Sequence, residues 1–360
     1  MDQERAFREE ILAAPEDDAP RLIFADWLEE RGDPRGDFIR AQCELARLHE
    51  ADPRTDALRR QQRELIARGV LDRYPEWPGT LANLERVWFR RGFPDTIQIT
   101  PGQFLDGAET LFEAAPLLRG LKFTRLNVGI SKLAECPFLE RIVSLNVAGQ
   151  GSYEQGLVLA NSPFLHRLES LNIFNAFFRS GDAAVRGLVD SGLSERIHSL
   201  ECGSNDVQEG ALSAFAASKG VPWRNLGWFS NRLTASSVRH LMQSPRSAGL
   251  HTLNLGYNSL GIQGLQALAK APRMKNLKLL NVNFAGVTDA GIKAISKAPW
   301  ASELLSLHAT WNQITDAGVK TLLNVSRFPK LCRVDLRNND VSPMGKAKLR
   351  ERFGSRAKLE

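Results

Sequence analysis

Cysteine is scarce in this chain: Cys43, Cys136, Cys202 and Cys332 are scattered through 360 residues, with no CxxC pair and no cluster of cysteines and histidines. That spacing fits neither a zinc site nor a disulfide framework, and it predicts reduced, mostly buried thiols. No uninterrupted apolar run reaches the roughly 18 residues that a membrane span needs. The N-terminal MDQERAFREE is charged from Asp2 onward, unlike a signal peptide. A cytoplasmic location is the default expectation. A Walker loop, a GxGxxG after a strand, an HExxH helix and a nucleophile elbow are likewise missing, and the six histidines are dispersed. No catalytic residue, cofactor or metal is therefore expected, and the chain reads as a non-enzyme.

What is present is ordinary globular material, 43% hydrophobic and 24% charged, so the whole chain is expected to fold. Its 360 residues exceed one ordinary domain, which makes a stacked repeat array the first possibility to test. The net charge of +6 conceals an asymmetry. Residues 1–50 carry 14 Asp and Glu against 7 Arg, net −7, leaving 40 basic against 27 acidic residues, net +13, in 51–360. An acidic front and a basic remainder can steer a charged partner or attract each other, although a solvated surface accounts for both.

From Leu250 onward the sequence falls into register as LHTLNLGYN, MKNLKLLNVNFA, ELLSLHATWN and LCRVDLRNN, and the anchors Leu253, Leu280, Leu307 and Val334 stand 27 apart. The same pattern recurs backward at Leu226, Leu200, Leu171, Leu145 and, degraded, Leu121, making nine units spaced 24 to 29 residues. Paired apolar positions with one spacer, such as Leu253 and Leu255, have strand periodicity, whereas LGIQGLQALAKAP and VTDAGIKAISKAP have helical spacing. Each unit is thus one strand and one helix. Strands are predicted to begin near 120, 144, 170, 199, 225, 252, 279, 306 and 333. They must pair in parallel, because each returns to the same side after a helical crossover. Thr288 and Thr315 are expected to cap the helices opened by DAGI and DAGV, with Asp289 and Asp316 favouring the helix dipoles and Ser342-Pro343 opening the last helix. Ala271-Pro272, Ala298-Pro299 and Ser244-Pro245 close helices.

LxxLxLxxN, as in LHTLNLGYN, and the ITDAGV helix start make residues 115–345 resemble the leucine-rich-repeat family, in its long strand-helix, ribonuclease-inhibitor-like subtype. The resemblance implies an α/β solenoid, a horseshoe with the parallel sheet on its concave face and helices on the convex face. Ala176 and Ala285 depart from it where asparagine is expected, and Trp223, Trp228 and Ala309 replace aliphatics.

Ahead of the array, residues 2–13, 17–30, about 37–50 and 53–68 read as four short amphipathic helices. Leu22, Ile23, Ala25, Trp27, Leu28, Phe38 and Ile39 are the expected core. ILAAPEDDAPRLIFADWLEERGDPRGDFI resembles a bacterial repeat-companion domain that precedes repeat arrays, a resemblance that implies architecture and no activity. VWFRRGFPDTIQIT reads as short strands shielding the first repeat. The expected organisation is a helical domain at 1–69, a junction and cap at 70–114, the array at 115–345 and a cap helix and tail at 346–360.

Residues between the two buried positions of each strand form a column, Lys122, Asn146, Asn172, Glu201, Gly227, Asn254, Asn281, His308 and Asp335. Just past the strands stand Phe174, Phe229, Tyr257, Phe284 and Trp311, the last three in identical register. Packing against turns would explain these rings. An aromatic ridge beside a polar column is also the composition of binding hot spots. The candidate partner-binding set is therefore Asn254, Tyr257, Asn281, Phe284, His308, Trp311 and Asp335, on a module binding a macromolecule, most simply a protein. His308, taken as exposed, is expected to titrate near neutrality. The alternative is nucleic acid, bound by the basic flanks and by Lys346, Lys348, Arg350, Arg352, Arg356 and Lys358.

Overall fold

The computed structural model describes residues 3–73, 86–126, 129–149, 152–177 and 180–360. Two compact units divide it, Met1–Leu145 and Asn146–Glu360. Residues 74–85, within the expected junction, lie outside the described residues.

The first unit opens with helices α1 (Gln3–Ala13), α2 (Ala19–Glu29), α3 (Arg35–Arg47) and α4 (Arg54–Ala67). Ile11, Phe24, Ala25, Leu28, Ile39 and Cys43 form one core, with Trp27 and Leu22 half-buried against it, and Phe38 packs with Leu65 and Val70 in another. Ile23 is a correction to the expected core, since it is 53% exposed. On a helix the buried face runs through positions three and four apart, here Arg21, Phe24, Ala25 and Leu28, and Ile23 falls beside it.

Two strands follow, β1 (Arg86–Arg90) antiparallel to β2 (Phe93–Ile99), and β2 pairs in parallel with β3 (Gly120–Phe123). Arg91 and Gly92, both at positive φ, make the two-residue turn of this hairpin. A side chain at Gly92 would meet Ile39 Cγ1 at 2.3 Å, so the turn's tip is pressed onto α3. Strand β4 (Ser144–Asn146) stands at the boundary of the two units.

The second unit is built on one parallel ladder, β5 (Ser170–Asn172), β6 (Ser199–Glu201), β7 (Asn225–Gly227), β8 (Thr252–Asn254), β9 (Leu279–Asn281), β10 (Ser306–His308), β11 (Arg333–Asp335) and β12 (Ala357–Lys358). Strands β3 to β11 begin at the nine positions that the repeat spacing predicts. The anchors meet in register, Leu253 opposite Leu280, Leu280 opposite Leu307 and Leu307 opposite Val334, and all four are fully buried. Between strands run helices such as Ala235–Gln243, Gly261–Ala269, Asp289–Ile295 and Asp316–Leu322. Trp223, Trp228 and Ala309 are buried with the aliphatics they replace. The two-residue β12 was not foreseen; it caps β11 with the chain's own tail and buries Leu359.

Asparagines stitch the turns together. Asn258 Oδ1 accepts from the Asn231 and Leu233 amides at 3.2 and 3.0 Å, and its Nδ2 donates to the Trp228 and Leu255 carbonyls at 2.8 and 3.0 Å. Asn205, Asn231, Asn312 and Asn339 also reach into the preceding unit. Ala285 interrupts this ladder, as its side chain requires.

The capping differs from expectation at one point. Thr315 and Ser342 accept from the first turns of their own helices, whereas the Thr288 side chain makes no cap bond. Asp289 and Asp316 serve the next unit's helix. Asp289 Oδ1 accepts from the Thr315 and Gly318 amides, both at 2.9 Å, and Oδ2 from the Thr315 hydroxyl at 2.6 Å. Asp316 holds the Ser342 amide and hydroxyl in the same way. The glycine of the second DAG is explained at once, because a Cβ on Gly318 would stand 2.5 Å from Asp289 Oδ1.

Candidate interaction surface

The strand periodicity that buries Leu253, Leu280 and Leu307 leaves Asn254, Asn281 and His308 half-buried at the carboxyl ends of their strands. The column residues brace their own turns. Asn172, Asn254 and Asn281 each accept through Oδ1 from the amide two residues on, at 3.0, 3.2 and 3.0 Å. Glu201 does the same for Gly203, and its carboxylate fills the space beside Gly227, where a Cβ would meet Oε2. Burial there pushes the Glu201 carboxyl up, against the Gly203 amide. The column is therefore a row of preset polar groups whose conformations the turns fix, with the Asn254 and Asn281 Oδ1 atoms turned to their own backbones.

At the far end of the row Asp335 is buried, its carboxylate gripped by Arg337 at 2.6 and 2.9 Å on the strand that pairs with β12. Burial would raise its pKa, but the Arg337 hydrogen bonds and charge outweigh that and hold it below the usual carboxylate range. His308 differs from the exposed histidine expected. It is half-buried with Nε2 3.0 Å from Ser306 Oγ, and burial lowers its pKa below 6.5 against the pull of Asp335, with Lys358, Arg333 and Arg337 adding to the lowering.

Beside this row, Tyr257, Phe284 and Trp311 are 42%, 58% and 55% exposed, while Trp223, Trp228 and Trp300 in the same unit are fully buried. The three rings share more than register. Their φ angles are 57°, 46° and 54°, in the left-handed region where Ser230 and Asn338 stand one unit before and one unit after. Bulky residues are strained there by about 1–3 kcal/mol each. What enforces the conformation is the next unit, since the amides of Tyr257, Phe284 and Trp311 donate to the carbonyls of Asn283, Thr310 and Arg337 at 2.6, 2.8 and 3.0 Å. Ring contacts run from Phe174 to Phe229 to Tyr257 to Phe284, with centroids 6.4, 4.8 and 5.3 Å apart. Phe174 and Phe229, one position earlier in register, are half-buried against Gly203 and Gly256.

Where Ala285 interrupts the asparagine ladder, the turns form an open depression of about 590 Å³. Phe284 and Trp311 stand on it, and Ala285, Gly286, Asn312, Gln313 and Asn338 complete much of its lining without a charged group. The ladder break was legible in the sequence; the depression it makes was not, because it needs three neighbouring turns in space.

Much of the C-terminal basic run is engaged internally. Arg352 donates to the Leu322 and Phe328 carbonyls at 2.6 and 2.7 Å, Arg350 pairs with Glu360, and Lys358 belongs to β12. Sequence reasoning also missed Arg246, which is 2% exposed and donates to the Val221, Ser194 and Ile197 carbonyls and to Ser218 Oγ while lying over the Trp223 ring. Burial pushes it down to about 10. Among the described residues no group of three or more His, Cys, Asp or Glu side chains is placed to hold a metal ion, and no helix is long and apolar enough to cross a membrane. Cys43, Cys136, Cys202 and Cys332 stand outside any disulfide, the first three buried.

The family described as leucine-rich repeat matches residues 249–269, 273–296 and 304–323, the units that carry Tyr257, Phe284 and Trp311. No curated protein matches the chain in sequence. Among solved structures it is similar to an internalin (inlF) from Listeria monocytogenes str. 4b F2365, at 17% identity over 69% of this chain and 68% of that one, with a TM-score of 0.42. It is also similar to the Rad7 and Elc1 complex in yeast, at 13% identity over 93% and 94%, with a TM-score of 0.48.

Proposed function

We propose that this array of leucine-rich repeats is a non-catalytic protein–protein interaction module, a scaffold, adaptor or sensor, that binds a macromolecular partner on the strand side. The contact set is Asn254, Tyr257, Asn281, Phe284, His308 and Trp311, with Asp335 and Arg337 closing one end. One observation carries the reading: three large rings in consecutive units are 42–58% exposed on backbone that disfavours them. The position does not require a ring, because the small polar side chains of Ser230 and Asn338 hold the same left-handed conformation in flanking units. Preset rings beside preset amides lower the ordering cost of binding.

With this reading go a ribonuclease-inhibitor-like subtype for 115–345, a concave sheet, a repeat-companion domain at 1–69, a junction at 70–114, a cap from 346 and a bacterial, cytoplasmic setting. The test is a genetically encoded photo-cross-linker placed at Phe284 or Trp311, and at the exposed Lys293 of helix Asp289–Ile295 as control, in native cells. Covalent adducts from the ring positions and none from Lys293 are expected. Equal yields from all three, or none from the rings, would contradict the proposal.

A further inference from the structure

The first unit holds a cationic cavity that the repeat surface does not use. About 40 Å³ in volume, it is lined by Arg21, Arg90, Arg91 and Arg119, with Glu16 and Asp95 as the acidic members of the lining. One water needs roughly 10–15 Å³ on this measure, so there is room for a few waters or one small ion. The APEDDAPR stretch of the front helices supplies Pro15, Glu16 and Arg21, three of the nine lining residues.

Arg21 is 3% exposed, gives one N–H to the Asp17 carbonyl at 2.8 Å, and has no hydrogen-bond partner for Nε. A guanidinium buried this deeply ordinarily has its donors satisfied. Arg90 comes no nearer to Glu16 than 3.6 Å. Arg91 and Arg119 hold Glu16 at 3.0 and 2.5 Å, and Arg119 also holds Asp95 at 2.8 Å. Yet the Glu16 side chain is 61% exposed, against 35%, 12% and 28% for Arg90, Arg91 and Arg119. An exposed carboxylate thus plugs a set of more deeply placed arginines. It sits in the turn between α1 and α2, outside both helices.

We propose that this cavity binds a single phosphate-type oxyanion, and that the Glu16 carboxylate is its resident occupant, displaced when the ligand enters. Planar guanidinium forks match tetrahedral oxyanions through paired hydrogen bonds, which explains four arginines where lysines would serve for charge alone. Once Glu16 leaves, Asp95 is the remaining acid of the lining, with buried Asp18 behind it 3.1 Å from Arg91, and burial already pushes the Asp95 carboxyl up against the Thr96 hydrogen bond. A structural ion network accounts for the pairs, but not for an unpartnered donor on buried Arg21 at the cavity wall. Free inorganic phosphate and a phosphomonoester on a partner peptide share this chemistry.

The experiment uses the full chain and two variants, Glu16→Gln and Arg90→Gln, the latter removing no hydrogen bond. Calorimetric titration and thermal melting are run with inorganic phosphate and with a phosphoserine peptide at constant ionic strength. Removing the competing carboxylate should tighten phosphate binding by about tenfold or more, because the occupied site lowers apparent affinity in proportion to its occupancy. Phosphate should also raise the Glu16→Gln melting midpoint. Arg90→Gln should weaken binding by about fivefold or more with its phosphate-free midpoint unchanged. Tighter peptide binding points to a phosphorylated partner and equal affinities to the free anion; either supports the site. The proposal is overturned if no form binds phosphate, if Glu16→Gln only lowers the midpoint with no gain in affinity, or if Arg90→Gln binds as the parent does.

Discussion

Replacing Leu280 with alanine probes the repeat stack at its middle. Leu280 is fully buried on β9, in register with Leu253 on one side and Leu307 on the other, so its side chain belongs to two unit-unit contacts at once. The change removes three carbon groups, about 2.4 kcal/mol at roughly 0.8 kcal/mol each. The neighbours cannot close the gap, because the strand hydrogen bonds on both sides fix their spacing, and a cavity cost of about 24 cal/mol per Å³ is added. The total is about 2–5 kcal/mol. Lys270→Ala and Lys297→Ala, at exposed positions of the same region, should each change stability by less than about 0.5 kcal/mol. Urea denaturation followed by circular dichroism compares the three. An array can lose cooperativity when one interface weakens, so a broadened transition for Leu280→Ala alone carries the same meaning as a lowered midpoint. A loss at Leu280 no larger than at the lysines would show that the register is wrong.

Asp289→Ala should cost about 1–2 kcal/mol, because it orphans the Thr315 and Gly318 amides of the next helix. Gly318→Ala should destabilise too by forcing that carboxylate away, and the double variant should cost less than the two singles combined, as thermal melts of all three will show. Arg246→Lys should cost at least about 2 kcal/mol in denaturant titration, since one ammonium cannot serve the three carbonyls and the Ser218 hydroxyl that the guanidinium reaches. The Ser342 hydroxyl and amide hold the Asp316 carboxyl below 3.8, so its contribution is complete above that pH and is lost as pH falls through the folded value. Asp316→Asn should therefore be less stable than the parent at neutral pH and equal to it in strong acid. His308, lowered by burial, has the same sign, and its ring resonances should titrate below pH 6.5, with stability falling as the pH drops through that range.

The fold was legible because a 27-residue period overdetermines it: Leu253, Leu280, Leu307 and Val334 set the strand starts, and the Asn258 and Asn312 positions set the turns. What escaped sequence reasoning lies between units. Asp289 looked like a first-turn acid favouring the dipole of its own helix, and its role in the next helix depends on a side-chain reach that one unit's pattern does not contain. The three rings were visible as a column of aromatics, but their exposure follows from a positive φ imposed by carbonyls 26 residues onward. His308 and Asp335 looked exposed because strand alternation puts them there; β12, which pairs beside Asp335, comes from a tail with no repeat signal, and the ion pair with Arg337 is not part of the repeat pattern.

Trp311→Ala, measured against the cross-linked partner by calorimetry together with a thermal melt, tests the central claim most directly. The ring is 55% exposed, so little of the fold rests on it, and the substitution should weaken partner binding by at least about 2 kcal/mol while leaving the melting midpoint nearly unchanged. Unchanged affinity with a lowered midpoint would make the ring structural and would contradict the account.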